Sequence, residues 1–389
     1  MKKFEKVYYL LVFFIFFVVV NIFSYFRINS LIGASIFDHK KYLTIKANFV
    51  KNNKGTLPHP FLGSTSTKLI SLDSTISNEP MFHSVSKKPT SKKEIKILIL
   101  GGSVASHLSK GGIEVEDEVF AKTLNNRFNT DRFVIYNAAV GGYKQPQQVF
   151  KLIYLDLLGF KPDLVINLDG FNEIAETISF NKLQKTPATF PYLYPTTLKL
   201  GSEDRSCINF NNTLLKINTY IPLIELASWA YVINCNSKIV GEPFEKPWWH
   251  AIINNNNQTI EDYALASIKI WEISSNFLFT TLNTKKINYI HVLQPNQYVK
   301  GSKIYSKKEL DQSLNSDMYG TPIKNYYQLL NGKNLKTKNF IDERMLFKDI
   351  SESIYMDNCC HMNNKGMSLL SKDIVDKNYL VFKTLLDKR

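Results

Sequence analysis

A repeated pattern constrains the fold of this chain more than any other feature. A short apolar run ends in glycine, and an amphipathic stretch follows. Lys96-Ile97-Leu98-Ile99-Leu100 runs into Gly101-Gly102-Ser103. Consecutive apolar residues of this length fit a strand buried on both faces, as in the middle of a parallel sheet. Residues 115–128 then place Phe120, Leu124 and Phe128 at helical spacing. Phe133-Val134-Ile135-Tyr136 leads to Gly141-Gly142, and residues 147–158 space Val149, Leu152, Ile153 and Leu157 as a second helix. Leu164-Val165-Ile166-Asn167-Leu168-Asp169 ends in Gly170 as a third strand. Strand and helix alternating at this pace predict an α/β fold whose parallel sheet is covered on both faces.

The rhythm stops from Glu176 to about Thr259. Prolines, tyrosines, Trp248-Trp249 and the run Asn254-Asn255-Asn256-Asn257 occupy this stretch, which reads as an inserted cap. A helix is predicted from Tyr263 to Leu282, and a strand from Ile287 that turns at Pro295 and Asn296. A second, polar insertion with short helices covers about 300–350. Ile354 to His361 then leads into a last helix over about 364–386. The main domain begins near Glu94, and residues 27–93 read as a membrane-proximal linker with a few short strands.

The N-terminus adds a second element. Lys2, Lys3 and Lys6 precede an almost wholly apolar run from Val7 to Phe26, interrupted only by Asn21 and Ser24. That is about the ~20 residues a bilayer-spanning helix needs, and longer than the ~7–15-residue core of a cleaved signal peptide. The run is read as an uncleaved anchor over 7–26. The preceding lysines put residues 1–6 in the cytoplasm. The rest is expected outside it, in the periplasm or at the cell surface, where disulfides are allowed. The four cysteines are Cys207, Cys235, Cys359 and Cys360. Cys207 with Cys235 closes a modest loop, whereas a bond between the neighbours Cys359 and Cys360 is strained. The net charge of +14 suits an anionic surface or glycan. No nucleic-acid-binding motif accompanies it, so no nucleic-acid partner is expected.

In a doubly wound sheet the strand carboxyl ends share one edge, so residues far apart in sequence converge there. Ser103, Gly142 and Asn172 lie at three such ends, and Asp357 and His361 lie just before the last helix. Ser103 reads either as a helix N-cap or as a nucleophile. A serine hydroxyl needs a base to attack at neutral pH, and histidine is suited to that task. A carboxylate would orient the imidazole. The backbone N–H groups of Ser103 and Gly142 and the side-chain amide of Asn172 can stabilise an oxyanion. His107, His250 and His291 read as surface or packing residues and His59 as structural. Trp248-Trp249 reads as a cap anchor, and Cys359 and Cys360 as structural. No cluster has metal-ligand spacing, and neither metal nor cofactor is expected.

Four blocks, in order, resemble those of the SGNH (GDSL-like) hydrolases: Gly101-Gly102-Ser103, Asn137 to Gly142, Gly170-Phe171-Asn172-Glu173, and Asp357 with His361 to Gly366. The resemblance covers about 94–175 and 284–389. It implies a flavodoxin-like three-layer α/β/α fold, with Ser103 as nucleophile and His361 as base. Ser103, Gly142 and Asn172 would form the oxyanion hole. With the N-terminal anchor and Leu293-Gln294-Pro295-Asn296, the chain looks like a membrane-anchored bacterial branch of that family. It departs from the pattern at Gly102 and Glu173, where the family usually has aspartate. The family's acid sits three residues before the histidine, which is Asn358 here. Asp357 lies four before, so the partner of His361 is Asp357, Asn358 or a backbone carbonyl. The expected function is that of an anchored extracytoplasmic serine esterase acting on an O-acylated envelope glycan. An O-acyltransferase served by a membrane acyl donor, a lipid esterase and a catalytically silent glycan-binding protein are its rivals.

Overall fold

The computed structural model describes residues 2–32, 56–59, 62–66, 70–71, 80–89, 93–109, 118–183, 185–191, 222–227, 258–314 and 317–388. Most of the expected cap over 176–259 therefore lies outside the described residues, as do Cys207, Cys235, Trp248, Trp249 and His250. The chain divides into two compact units. One comprises Met1–Pro58 with Pro195–Phe244, and the other His59–Tyr194 with Glu245–Arg389.

In the first unit, Lys2–Ile32 forms a helix, α1, which contains the expected span 7–26. Its described apolar side chains are widely exposed, among them Phe13, Phe16, Phe23 and Phe26. Among the described residues, no helix is long and apolar enough to cross a membrane. Several side chains between Val7 and Leu11 lie outside that set.

The second unit is built on a six-stranded sheet. Its strands are β1 (Ser84–Val85), β2 (Ile95–Gly101), β3 (Phe133–Asn137), β4 (Leu164–Asp169), β5 (Asn288–Leu293) and β6 (Phe340–Asp342), in the order β6-β5-β4-β2-β3-β1. All neighbours run parallel except β1, which pairs antiparallel to β3 through Ser84 with Asn137. Without β1 the order is that of an open doubly wound sheet, with its switch point between β2 and β4.

Period-two alternation decides what each strand gives to each face. Ile95, Ile97 and Ile99 of β2, with Phe133, Ile135, Leu164 and Ile166, pack on helices α3 (Val119–Phe128) and α9 (Asn364–Lys377). Leu98, Leu100, Val134 and Val165 point the other way, towards Val149, Leu152 and Leu155 of α4 (Gln147–Leu157). Both faces being apolar, the strands read as continuous hydrophobic runs.

Two elements differ from the sequence reading. Phe340–Asp342 lies inside the stretch read as a polar insertion, yet it is the sheet's outermost parallel strand, paired with His291 to Leu293. Three residues are too short to carry a periodic signal. The last helix is in fact two, α9 and α10 (Tyr379–Asp387). Asn378 breaks it by turning its side-chain amide back to the carbonyl of Ile374 at 3.0 Å, a local bond that competes with helix continuation.

A buried polar network lies beneath the carboxyl edge. Asp169, the last residue of β4, accepts hydrogen bonds from Trp271 Nε1 (2.8 Å), Asn167 Nδ2 (2.6 Å) and Gln145 Nε2 (3.2 Å). It also contacts His291 Nε2 at 2.9 Å, and Ser275 meets the other ring nitrogen at 2.7 Å. Burial opposes ionisation of Asp169, but His291 outweighs it and holds the carboxyl below its ordinary range. His291, read as surface or packing, thus belongs to a hydrogen-bonded core that ties β4, β5 and the long helix Ile260–Thr284 together.

Candidate active site

Three strand ends meet beside Ser103. Gly101 has φ +143°, and a Cβ there would fall 2.1 Å from the Leu168 carbonyl oxygen, so only glycine permits this approach between β2 and β4. Gly102 precedes the short helix α2 (Ser103–His107), whose first residue is Ser103. No side chain caps that helix, so the capping alternative for Ser103 is not realised. Its hydroxyl instead meets His361 Nε2 at 2.7 Å.

His361 is held from its other side. Its Nδ1 lies 2.5 Å from Asp357 Oδ2, while Asp357 Oδ1 accepts the backbone N–H groups of Cys359 (3.0 Å), Cys360 (3.2 Å) and His361 (3.2 Å). One carboxylate therefore both folds the loop and orients the ring. This is how an acid four residues before the histidine reaches it. Asn358, the alternative partner, is exposed, and its carbonyl accepts the Tyr298 hydroxyl at 2.6 Å. The turn after β5 braces the loop further: Asn296 Nδ2 donates to the Cys359 carbonyl at 3.3 Å and Gln297 Nε2 to that of Asp357 at 3.0 Å.

The glycine turn after β3 supplies the opposite wall. Val140 N–H donates to the Gly101 carbonyl at 3.2 Å, and Gly142 takes φ +76°. A Cβ on Gly141 would lie 4.0 Å from Ser103 Cβ. Asn172 Nδ2 donates to the Tyr143 carbonyl at 2.8 Å, tying the turn to α5 (Phe171–Glu176). Glu173, at the second departure from the family's aspartate, accepts the backbone N–H of Gln145 at 2.9 Å and that of Gly170 at 2.8 Å. It thus pins the two turns that carry Gly142 and Asn172. Burial, reinforced by the charge of Asp169, pushes its carboxyl up to about 8.

Gly102 has a steric role. A Cβ at this position would stand 2.3 Å from Asn172 Nδ2 and 3.2 Å from the Tyr143 carbonyl oxygen. Gly102→Ala is expected to displace the Asn172 amide and lower acylation of Ser103 by roughly 100-fold, the scale of one lost oxyanion donor. Thermal melting should change little, and an unchanged acylation rate would sink this account.

Electrostatics distinguish the groups. Burial raises the Asp357 carboxyl, but the bond and charge from His361 outweigh it and hold it below the ordinary range. Burial lowers His361, yet the neighbouring acidic thiol of Cys360 and the bond to Asp357 carry it up to about 9. His107 sits with its ring centroid 5.1 Å from that of His361 and is pushed down to about 4 by burial and by the charge of His361. It is neutral at physiological pH. His107 lies four residues after Ser103, on the same helical face, which sets its ring against that of His361. His59 is buried and accepts the Leu62 N–H at 3.1 Å, a structural role. Among the described residues, Cys359, Cys360 and His361 are the one group whose ligand atoms come close enough together for a metal. Both ring nitrogens of His361 are already engaged by Asp357 and Ser103.

No family model and no curated protein matches the chain. Among solved structures, it is similar to a GDSL-like lipase from Parabacteroides merdae at 12% identity, covering 76% of this chain and 100% of that one, with a TM-score of 0.32. It is also similar to an acetyl xylan esterase at 15% identity, covering 74% and 99%, with a TM-score of 0.34. An acetylxylan esterase from Geobacillus stearothermophilus matches at 11% identity, covering 74% and 96%, with a TM-score of 0.33. Likeness at these TM-scores carries no weight in assigning a chemistry. The hydrogen-bonded chain from Asp357 through His361 to Ser103, set at the sheet's switch point, is what singles out this edge as the candidate active site.

Proposed function

We propose that the chain is a membrane-anchored serine esterase of the SGNH type, with Ser103 as nucleophile, His361 as base and Asp357 as the residue that orients it. The observation that carries the reading is the 2.7 Å contact between Ser103 Oγ and His361 Nε2, with Asp357 Oδ2 behind the ring at 2.5 Å. Ser103 Oγ attacks the ester carbonyl while its proton passes to His361 Nε2. The oxyanion is met by the N–H groups of Ser103 and Gly142 and by Asn172. A side-chain amide has two hydrogens; Asn172 spends one on Tyr143, and the other can face the oxyanion. His361 returns the proton to the departing alkoxide, leaving an acyl-serine. Water, deprotonated by the same nitrogen, then releases the acid and restores Ser103.

The full chain, solubilised in detergent, is the material to test, with a fluorophosphonate probe and an aryl acetate. Covalent labelling at Ser103 with ester turnover is the expected result. Absence of both in folded protein would falsify the reading. The histidine must be neutral to accept the serine proton, and its pKa is raised to about 9. Labelling is therefore expected to increase as pH climbs through about 9. Cys360→Ser replaces the acidic thiol beside the ring with a hydroxyl that does not ionise and should move that midpoint down. A midpoint unmoved in the variant would refute the part assigned to Cys360.

The anchor is part of the same proposal. At ~1.5 Å per residue, Lys2–Ile32 reaches well beyond the ~30 Å of a hydrocarbon core. Its exposed phenylalanines, such as Phe13 and Phe23, suit lipid better than water. The esterase unit would then stand outside the cytoplasm near O-acylated envelope glycans, to which the net charge of +14 is suited. The chain should stay in the membrane pellet through an alkaline carbonate wash. Release into the supernatant would remove the anchor from the proposal.

A further inference from the structure

The loop that holds His361 contains two adjacent thiols for which the ester chemistry has no use. Cys359 Sγ and Cys360 Sγ lie 3.0 Å apart, both as free cysteines. Cys359 is half-buried and Cys360 is 1% exposed. The backbone between them is part of the catalytic scaffold. The N–H groups of Cys359, Cys360 and His361 all point at Asp357 Oδ1, and the Cys359 carbonyl accepts from Asn296.

We propose that Cys359 and Cys360 are an oxidation site, and that closing them into a vicinal disulfide switches off the serine site by dismantling the Asp357 cradle. The proposal rests on the esterase reading for its consequence, though not for the bond itself. The reasoning is geometric. Disulfide-linked residues usually have Cα atoms 4.4–6.8 Å apart, whereas neighbours across a trans peptide are held at about 3.8 Å. Closing the ring therefore twists the peptide between the two cysteines. That peptide carries the Cys360 N–H, one of the three that fix Asp357 Oδ1. Turning it away releases Asp357, and with it the orientation of His361 towards Ser103.

The oxidant is a disulfide, either of low molecular weight or in a thiol-oxidising protein. Cys359, the more exposed thiol, attacks one sulfur of that disulfide, losing its proton to solvent and expelling a thiolate. Cys360 then attacks Cys359 Sγ in the mixed disulfide, loses its own proton and expels the second thiolate. The pair gives up two electrons and two protons, and the incoming disulfide is reduced to two thiols. Reduction by a dithiol reverses both steps. A strained bond of this kind belongs with the reducible, regulatory class of disulfides rather than the structural one.

The test uses the full chain in detergent, equilibrated with either oxidised glutathione or dithiothreitol. Alkylation and peptide mass mapping read the bond, and the rate of fluorophosphonate labelling reads the site. Expected is a peptide carrying Cys359 and Cys360 that resists alkylation after oxidation. Labelling should fall by roughly 100-fold, the scale of a misplaced catalytic group, and return on reduction. Cys359→Ser should label at the same rate in both conditions. Full alkylation of both thiols after oxidation would overturn the proposal. So would bridges from either thiol to Cys207 or Cys235, or undiminished labelling of the bridged protein. If the reduced protein is not labelled at all, the esterase reading fails, and the mass map still decides whether the bond forms.

Discussion

Replacing Ser103 by alanine is expected to abolish fluorophosphonate labelling and to lower ester turnover by roughly 10⁵- to 10⁶-fold, the range seen when a serine nucleophile is removed. The fold should survive intact. Ser103 makes no side-chain cap to its helix, and the backbone of α2 is held by Ser106 N–H to the Gly102 carbonyl at 3.0 Å and by Ser106 Oγ to the Ser103 carbonyl at 2.7 Å. Neither bond involves the Ser103 hydroxyl. Melting temperature and far-UV circular dichroism should therefore match those of the wild type while activity is lost. Residual turnover close to the wild-type rate would mean that a different group performs the attack.

Asp357→Asn is expected to cost about 10⁴-fold in acylation rate, the scale observed when a triad carboxylate is made neutral. The loss has two sources. The amide cannot stabilise a positively charged His361, and it can present its N–H₂ rather than an acceptor to Nδ1, which favours the wrong tautomer. The loop itself should persist, because an amide oxygen can still accept the three N–H groups that converge on Oδ1. Asn358→Ala is the control: its side chain is exposed, and acylation should stay within about twofold of wild type if Asp357 alone orients the ring. The reverse pattern, a small effect at Asp357 and a large one at Asn358, would transfer the role to the position the family pattern designates.

The contrast between these two residues marks the limit of what could be read in advance. Strand ends at Gly101, Gly142 and Gly170 were legible because apolar runs and glycine punctuation are local signals. The helices after them were legible because their apolar residues recur with the helical period. From those signals a parallel sheet with a common carboxyl edge follows, and so does the meeting of Ser103, Asn172 and His361 at that edge. The choice between Asp357 and Asn358 was not local. It depends on which carboxamide or carboxylate can collect the N–H groups of Cys359, Cys360 and His361 while still touching Nδ1, and only the folded loop decides that.

His291 and Glu173 illustrate the same limit. His291 reads as a surface or packing residue and Glu173 as a departure from the family pattern, and each is buried and hydrogen-bonded beneath the site because long-range packing brings Asp169 to the first and the Gln145 N–H to the second. The edge strand Phe340–Asp342 was hidden for a different reason. Three residues contain too little pattern to announce a strand, and its pairing with β5 supplies what the sequence lacks. By itself, then, the sequence determined the layered α/β architecture and the edge where chemistry can occur, since these rest on periodicity and residue type, and its four family-like blocks pointed to Ser103 and His361 as the candidate pair. Tertiary structure decided that Asp357 rather than Asn358 reaches His361, that Glu173 pins the two turns beside Ser103 and that two thiols stand next to His361. Those depend on distances of a few ångströms between segments that no local pattern encodes.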